Sequence, residues 1–150
     1  MGRVAGKIAI VTGGGTGIGR AAATRLAEEG AIVTIAEFDA ANGQAVAEEL
    51  GGDAAFVEHD VREEASWQNL MKSVADRHGR PDILVNNAGI LATNNNQELA
   101  VTDLEQWRAV QQVNVEGVFL GCKYGVEAMI ANGGRAKGGA GGGAIVNMSS

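Results

Sequence analysis

One cysteine, Cys122, stands in the whole chain. No internal disulfide can form, which points to a reducing, intracellular setting, and Cys122 itself reads as a small core residue. The two histidines, His59 and His78, are not spaced as ligands, and one cysteine cannot build a zinc cluster, so no metal is expected. No apolar run approaches membrane-spanning length. The opening Met-Gly-Arg-Val-Ala-Gly lacks signal-peptide character, and Gly6 stands where N-myristoylation wants Ser or Thr. Positive charge is also scarce. Twelve Lys and Arg against 18 Asp and Glu leave a net charge of −6, and the cations are scattered. Neither a nucleic acid nor an acidic membrane is expected as partner, and the expected location is the cytoplasm.

Glycine, by contrast, is abundant, at 23 of 150 residues, roughly twice average usage. Its most telling cluster is Thr12-Gly13-Gly14-Gly15-Thr16-Gly17-Ile18-Gly19. Lys7–Val11 ahead of it reads as a buried strand, and Arg20–Glu29 behind it as an Ala-rich helix stopped by Gly30. The glycines therefore occupy a strand-to-helix turn. There the first helical N–H groups lack partners and carry partial positive charge, which suits a pyrophosphate. Gly13 would allow the tight turn, and Gly17 and Gly19 would let phosphate and strand come close. Taken alone, the motif is equally a plain Gly-rich turn.

The alternation continues along the chain. Strands are expected at 31–36, 54–58, 82–86 and 144–148. Helices are expected at 40–50, capped by Asp39, and at 63–78, where Trp67, Leu70, Met71 and Val74 share one face. Thr102 and Glu105 read as a capping box opening a long helix to about Ile130. Trp107, Val110, Val118, Cys122, Val126 and Met129 can share that helix's apolar side. Residues 87–100 read as a polar loop and 132–143 as a flexible connector. Strand-helix alternation implies a doubly wound α/β sheet of Rossmann type in one domain, 1–150.

Three further stretches matter. Glu37 ends strand two, 18 positions after Gly19. A carboxylate there can accept ribose hydroxyls and would repel a 2′-phosphate: two unit charges about 4 Å apart cost ~4 kcal/mol at an effective dielectric near 20. Asn86-Asn87-Ala88-Gly89 closes strand four, and Asn147-Met148-Ser149-Ser150 closes strand five. Asn114 lies mid-helix, where its side chain competes with backbone bonds.

The Thr-Gly-x-x-x-Gly-x-Gly spacing, joined to Asn-Asn-Ala-Gly and Asn-Met-Ser-Ser, resembles the short-chain dehydrogenase/reductase family. The resemblance implies strand order 3-2-1-4-5 and an NAD-dependent oxidoreductase, with NADP less favoured, that moves hydride between nicotinamide and an alcohol or ketone. It implies that Gly13, Gly15, Thr16, Gly17, Ile18, Gly19, Glu37, Asp60, Val61, Asn87, Ala88 and Gly89 hold the cofactor, Asp60 through the adenine amino group. It implies that Ser150 orients the substrate oxygen, and that Asn114 bends its helix and holds a water of the proton relay.

The family's Tyr-x-x-x-Lys pair is not in this sequence. The one tyrosine, Tyr124, is followed four residues later by Ala128 and reads as a packing or interface residue. The expectation is therefore that 1–150 is the N-terminal part of a single-domain enzyme of about 250 residues. As it stands it should bind dinucleotide weakly and not turn over. Family members are commonly homotetramers built through long helices such as 102–130, and the same is expected here. A non-catalytic dinucleotide-binding module is the rival reading if 1–150 is complete. A methyltransferase on the same sheet is a second rival, against which both motifs argue.

Overall fold

The computed structural model describes residues 2–91, 100, 102–131 and 142–149. Five strands, β1 (Ile8–Thr12), β2 (Ile32–Glu37), β3 (Ala55–Glu58), β4 (Ile83–Asn86) and β5 (Ala144–Asn147), form one sheet in the order β3-β2-β1-β4-β5. Every pairing is parallel. The order 3-2-1-4-5 is thus as expected. Helices α1 (Gly17–Glu28), α2 (Ala40–Leu50), α3 (Glu64–His78), α4 (Leu104–Gln111) and α5 (Gly117–Ala131) supply the crossovers that parallel strands need.

β1 lies in the middle because it is apolar on both faces. Ala9 and Val11 pack with Ala23, Val33, Val46 and Ala47 on the side of α1 and α2. Ile10, between them, packs with Leu70, Val74, Leu84 and Leu120 on the side of α3 and α5. That is the period of two expected of a strand buried on both faces. Trp67 is the largest fully buried side chain, and its Nε1–H donates to the Val61 carbonyl at 2.8 Å.

Two expectations for the last helix need correction. The N-cap is Asp103, not Thr102: its carboxylate accepts the Gln106 N–H at 2.7 Å. The helix is also not continuous, since Gln112–Glu116 widens into a π-helical turn between α4 and α5. The buried side of α5 is Gly117, Leu120, Gly121, Tyr124, Gly125 and Met129, whereas Trp107 and Val126 are exposed and Cys122 is half-buried. Of the expected stripe, Met129 is buried, Val110, Val118 and Cys122 are half-buried, and Trp107 and Val126 fail. Glycines carry no hydrophobic weight, yet here they let α5 lie close on its neighbours. A Cβ on Gly121 would overlap the Asn86 carboxamide and sit 2.8 Å from the Trp67 ring. Tyr124 is a packing residue, with its hydroxyl accepting from Gln68 Nε2 at 3.3 Å. The loop expected at 87–100 and the connector at 132–143 fall mostly outside the described residues.

One buried polar group stands out beside Trp67. His59 meets that ring edge-on at 4.4 Å between centroids, and its Nδ1 lies 2.8 Å from Ser66 Oγ. Its Nε2 has no partner among the described residues. Burial pushes its pKa down to about 4.

Two predictions follow from this packing. Gly121→Ala gains up to about 1 kcal/mol of helix propensity. It loses about 1–3 kcal/mol to overpacking against Asn86 and Trp67, so urea unfolding should show net destabilisation. His59 folds preferentially neutral, and its unfolded pKa is about 6.5. Its contribution is therefore fully present above pH 6.5, is lost as pH falls towards 4, and changes no further below. The difference is about 3 kcal/mol, and His59→Gln should flatten the stability profile by that amount over that window.

Candidate functional site

At the carboxyl ends of β1, β2, β3 and β4 lies a cleft of about 550 Å³. This is the edge where open parallel sheets bind ligands, at the point where the chain switches from one side of β1 to the other. Gly13, Thr16, Gly17, Ile18, Glu37, Asp60, Val61, Asn87, Ala88 and Gly89 all line it. These are ten of the twelve residues assigned to a cofactor from sequence.

The other two act from behind. Gly15 donates its N–H to Glu37 Oε2 at 2.9 Å, which anchors the glycine turn to the end of β2. Gly19 packs under the turn, where a Cβ would overlap the Gly13 carbonyl and the Asn87 carboxamide. Gly13 itself turns the chain with φ +62°, a left-handed value that costs other residues energy.

The start of α1 is open. Its N-cap, Thr16, makes no side-chain cap bond, and the first turn contains no acid. The first-turn amides at Gly17, Ile18 and Gly19 are thus donors without intrahelical partners. No described atom stands within 4 Å of where a Gly17 Cβ would be, so there is room in front of them. A diphosphate fits such a cradle, because it needs several N–H donors and the positive end of a helix dipole.

Thr12 and Asn87 hold the cradle in place. Thr12 Oγ1 donates to the Val85 carbonyl at 3.3 Å and accepts the N–H groups of Asn87 and Ala88, each at 3.0 Å. Asn87 Nδ2 donates to the carbonyls of Thr12 and Gly13 at 3.0 and 3.1 Å. Asn86 Nδ2 donates to Asn147 Oδ1 at 2.8 Å, tying β4 to β5.

Three carboxylates line the cleft, those of Glu37, Asp39 and Asp60. Besides Gly15, Glu37 accepts the N–H groups of Phe38 and Asp39 on Oε1, at 2.9 and 3.2 Å. A carboxylate has about four acceptor positions, so Oε2 keeps one open. Asp60 is gripped by Arg62, which holds its pKa below the usual carboxylate range. Sequence reasoning passed over Arg62 and Phe38, which also line the cleft. An arginine two residues after a strand-end aspartate is a usable signal for such a fork; nothing in the sequence marks Phe38.

Asn114 sits in the π-helical turn, on a second cleft of about 440 Å³ that also includes Ile18, Ala88, Met148 and Ser149. Its Oδ1 accepts the Ile90 N–H at 2.8 Å and its Nδ2 donates to the Ile90 carbonyl at 2.9 Å. The side chain straps the segment after β4 to the helix. Ser150 lies outside the described residues.

Comparison with known proteins agrees with this geometry. The short chain dehydrogenase family profile matches residues 7–150. The chain is 40% identical over 148 residues to a 3-beta-hydroxysteroid dehydrogenase of Comamonas testosteroni, covering 99% of this chain and 54% of that one. It is 39% identical over 150 residues to an NADP-dependent (R)-specific alcohol dehydrogenase of Lentilactobacillus kefiri, covering 99% and 56%. Among solved structures, a 3-ketoacyl-(acyl-carrier-protein) reductase from Brucella melitensis complexed with NADH superposes with a TM-score of 0.88 at 35% identity, covering 98% of this chain and 58% of that one. The chain thus spans about half the length of the curated relatives it matches. On its strand order, its glycine cradle and these matches, the chain belongs to the short chain dehydrogenase family.

Proposed function

We propose that this chain is the cofactor-binding part of an NAD-dependent oxidoreductase that acts on an alcohol or carbonyl substrate. The observation that carries the reading is one cleft that pairs an uncapped helix N-terminus with the Glu37 carboxylate. Thr16, Gly17, Ile18 and Gly19 would present amides to the diphosphate, while Gly13, whose own N–H is donated to the Ala36 carbonyl at 2.8 Å, would shape the turn around it. Glu37 would accept from the adenosine ribose, and Asp60 from the adenine amino group with the Val61 backbone beside it. Asn87, Ala88 and Gly89 would form the wall along which the dinucleotide runs. Nicotinamide, when bound, supplies the hydride position at C4, and the protein's share is placement and charge stabilisation.

On the substrate side, Ser150 would orient the reacting oxygen. Ile90 takes one acceptor position on Asn114 Oδ1 and one N–H of Nδ2, so the carboxamide keeps one of each with which it would hold a relay water. The proton-moving Tyr and Lys of the family pattern would lie beyond residue 150, which makes residues 1–150 alone a binder without turnover.

The relatives divide on the cofactor: one is named NADP-dependent, and one solved structure holds NADH. The preference for NAD rests on this chain's Glu37. A 2′-phosphate beside it meets a repulsion of about 4 kcal/mol at short range, which solvent at the cleft mouth lowers to about 1.4–2.8 kcal/mol. Calorimetric titration of the full chain should therefore show NADH binding about 10- to 100-fold tighter than NADPH. Glu37→Ala should weaken NADH and narrow that gap. Equal affinity for both cofactors in the parent would overturn the NAD assignment.

Assembly into a homo-oligomer through α4 and α5 is part of the same proposal. Trp107, Val115, Phe119 and Val126 are exposed along these helices, Phe119 at 65%. Large exposed apolar patches of this kind mark interfaces. Phe119→Glu combined with Val115→Glu should shift the sedimentation coefficient of the full chain to that of a smaller species, with the far-ultraviolet spectrum unchanged.

A further inference from the structure

Around Asp60 the cleft holds a fork of side chains. Three N–H groups of Arg62 make four contacts to the Asp60 carboxylate. Its backbone N–H reaches Oδ1 at 3.0 Å, Nε reaches Oδ1 at 2.9 Å and is shared with Oδ2 at 3.2 Å, and Nη2 reaches Oδ2 at 2.6 Å. These contacts reach all of the roughly four acceptor positions of a carboxylate, and the weakest, the 3.2 Å arm that Nε shares with Oδ2, is the one an incoming donor would displace. From the other side, the Asp60 N–H donates to Ser66 Oγ at 3.0 Å, which fixes the backbone that carries the fork.

The same guanidinium lies over the Phe38 ring, with Cζ 5.9 Å from the centroid, within cation–π range. Phe38 is 66% exposed and lines the cleft together with Asp60 and Arg62. A large aromatic left open at a cleft mouth presents a face on which a planar ring can stack. Arg62 therefore joins two surfaces that a flat heterocycle would meet: an acceptor at its edge and a ring at its face.

We propose that Arg62 is a positioning residue that makes the site selective for a 6-amino purine, by fixing Asp60 with one weakly shared acceptor position on Oδ2 and bracing Phe38 as the stacking platform. The inference rests on the dinucleotide reading above and adds to it the determinant of base choice. A carboxylate locked in this way offers only lone pairs. It can accept from an exocyclic amino group, and it repels the carbonyl oxygen that hypoxanthine carries at the same place. Without Arg62, Asp60 becomes a solvated carboxylate free to turn away, and its hold on the base edge weakens. Lysine would keep the charge but not the planar fork, so it should not restore selectivity.

Calorimetry on the full chain with two probes, NADH and reduced nicotinamide hypoxanthine dinucleotide, tests this. The parent should prefer NADH by about 10- to 100-fold. In Arg62→Ala and Arg62→Lys that ratio should fall to about threefold or less. Phe38→Ala should weaken both probes by a common factor of about 5 to 50 and leave the ratio intact, because stacking ignores the substituent. Loss of both probes in equal proportion in the Arg62 variants would signal general damage and overturn the proposal, as would an unchanged ratio. A parent that binds neither probe would overturn the dinucleotide reading itself; a parent that binds NADH with selectivity independent of Arg62 would overturn only the role of Arg62.

Discussion

The Thr12 hydroxyl is the constraint on which the site depends. It is 1% exposed, at the end of the central strand, and it bridges β1 to the backbone that leaves β4. β1 and β4 diverge there because the chain turns to opposite faces of the sheet after them. At that point the regular ladder ends, and the Asn87 and Ala88 amides would otherwise have to find partners at a half-buried cleft wall. A fully buried amide left unsatisfied costs about 1–3 kcal/mol and a half-buried one part of that, so one hydroxyl that accepts two of them removes a penalty as well as making two bonds. Asn87 returns the link through its carboxamide to the carbonyls of Thr12 and Gly13. The divergence that opens the cleft is thus held at a set width by short polar side chains.

The glycine cradle is built on that bridge. Gly19 must fit beneath the Gly13 carbonyl and the Asn87 carboxamide, and Gly15 is tied to Glu37 across the gap to β2. The turn after β1 is therefore anchored on both sides, to β4 through Asn87 and to β2 through Glu37. Glu37 has two duties that one substitution cannot separate. It presents negative charge to the cleft, and it holds the Gly15 amide. Removing it relieves the repulsion of a second phosphate and at the same time loosens the loop that would hold the first.

The alternation of apolar strands and amphipathic helices was legible because each buries a patterned face. β1, with apolar residues on both faces, reads directly as a buried strand, and Asp39 caps α2 as its side chain dictates, accepting from Asn42. The strand order was not in the pattern and came through the family resemblance. The α5 face was misread because hydrophobicity scores reward large side chains, whereas the closest approach uses Gly117, Gly121 and Gly125, whose missing side chains make the contact. The cap at Asp103 was missed by one residue because two adjacent cap-formers compete and tertiary context decides between them. Most of the residues that line the cleft could be named from motifs, but not the division of labour: Gly15 and Gly19 stand behind it, and Arg62 was passed over although it follows the strand-end Asp60 by two residues.

The electrostatics make the donor groups, rather than net charge, the basis of any anion binding here. The protein carries −6 overall, and among the described cleft residues the one cation, Arg62, is spent on Asp60, which leaves Glu37 and Asp39 uncompensated. A diphosphate approaching this surface meets repulsion, not attraction, at long range. That repulsion is screened over about 8 Å at physiological ionic strength, whereas the α1 amides act at hydrogen-bond distance. Each bond to a charged oxygen contributes about 1.5–3 kcal/mol, and several can form at once along one helical turn, so the contact term outweighs the residual field. A site built this way rewards an anion that places its oxygens on the first turn of α1 and gives nothing to one that places an extra phosphate elsewhere. Selectivity against such a ligand follows from where the donors stand, before Glu37 adds its own charge.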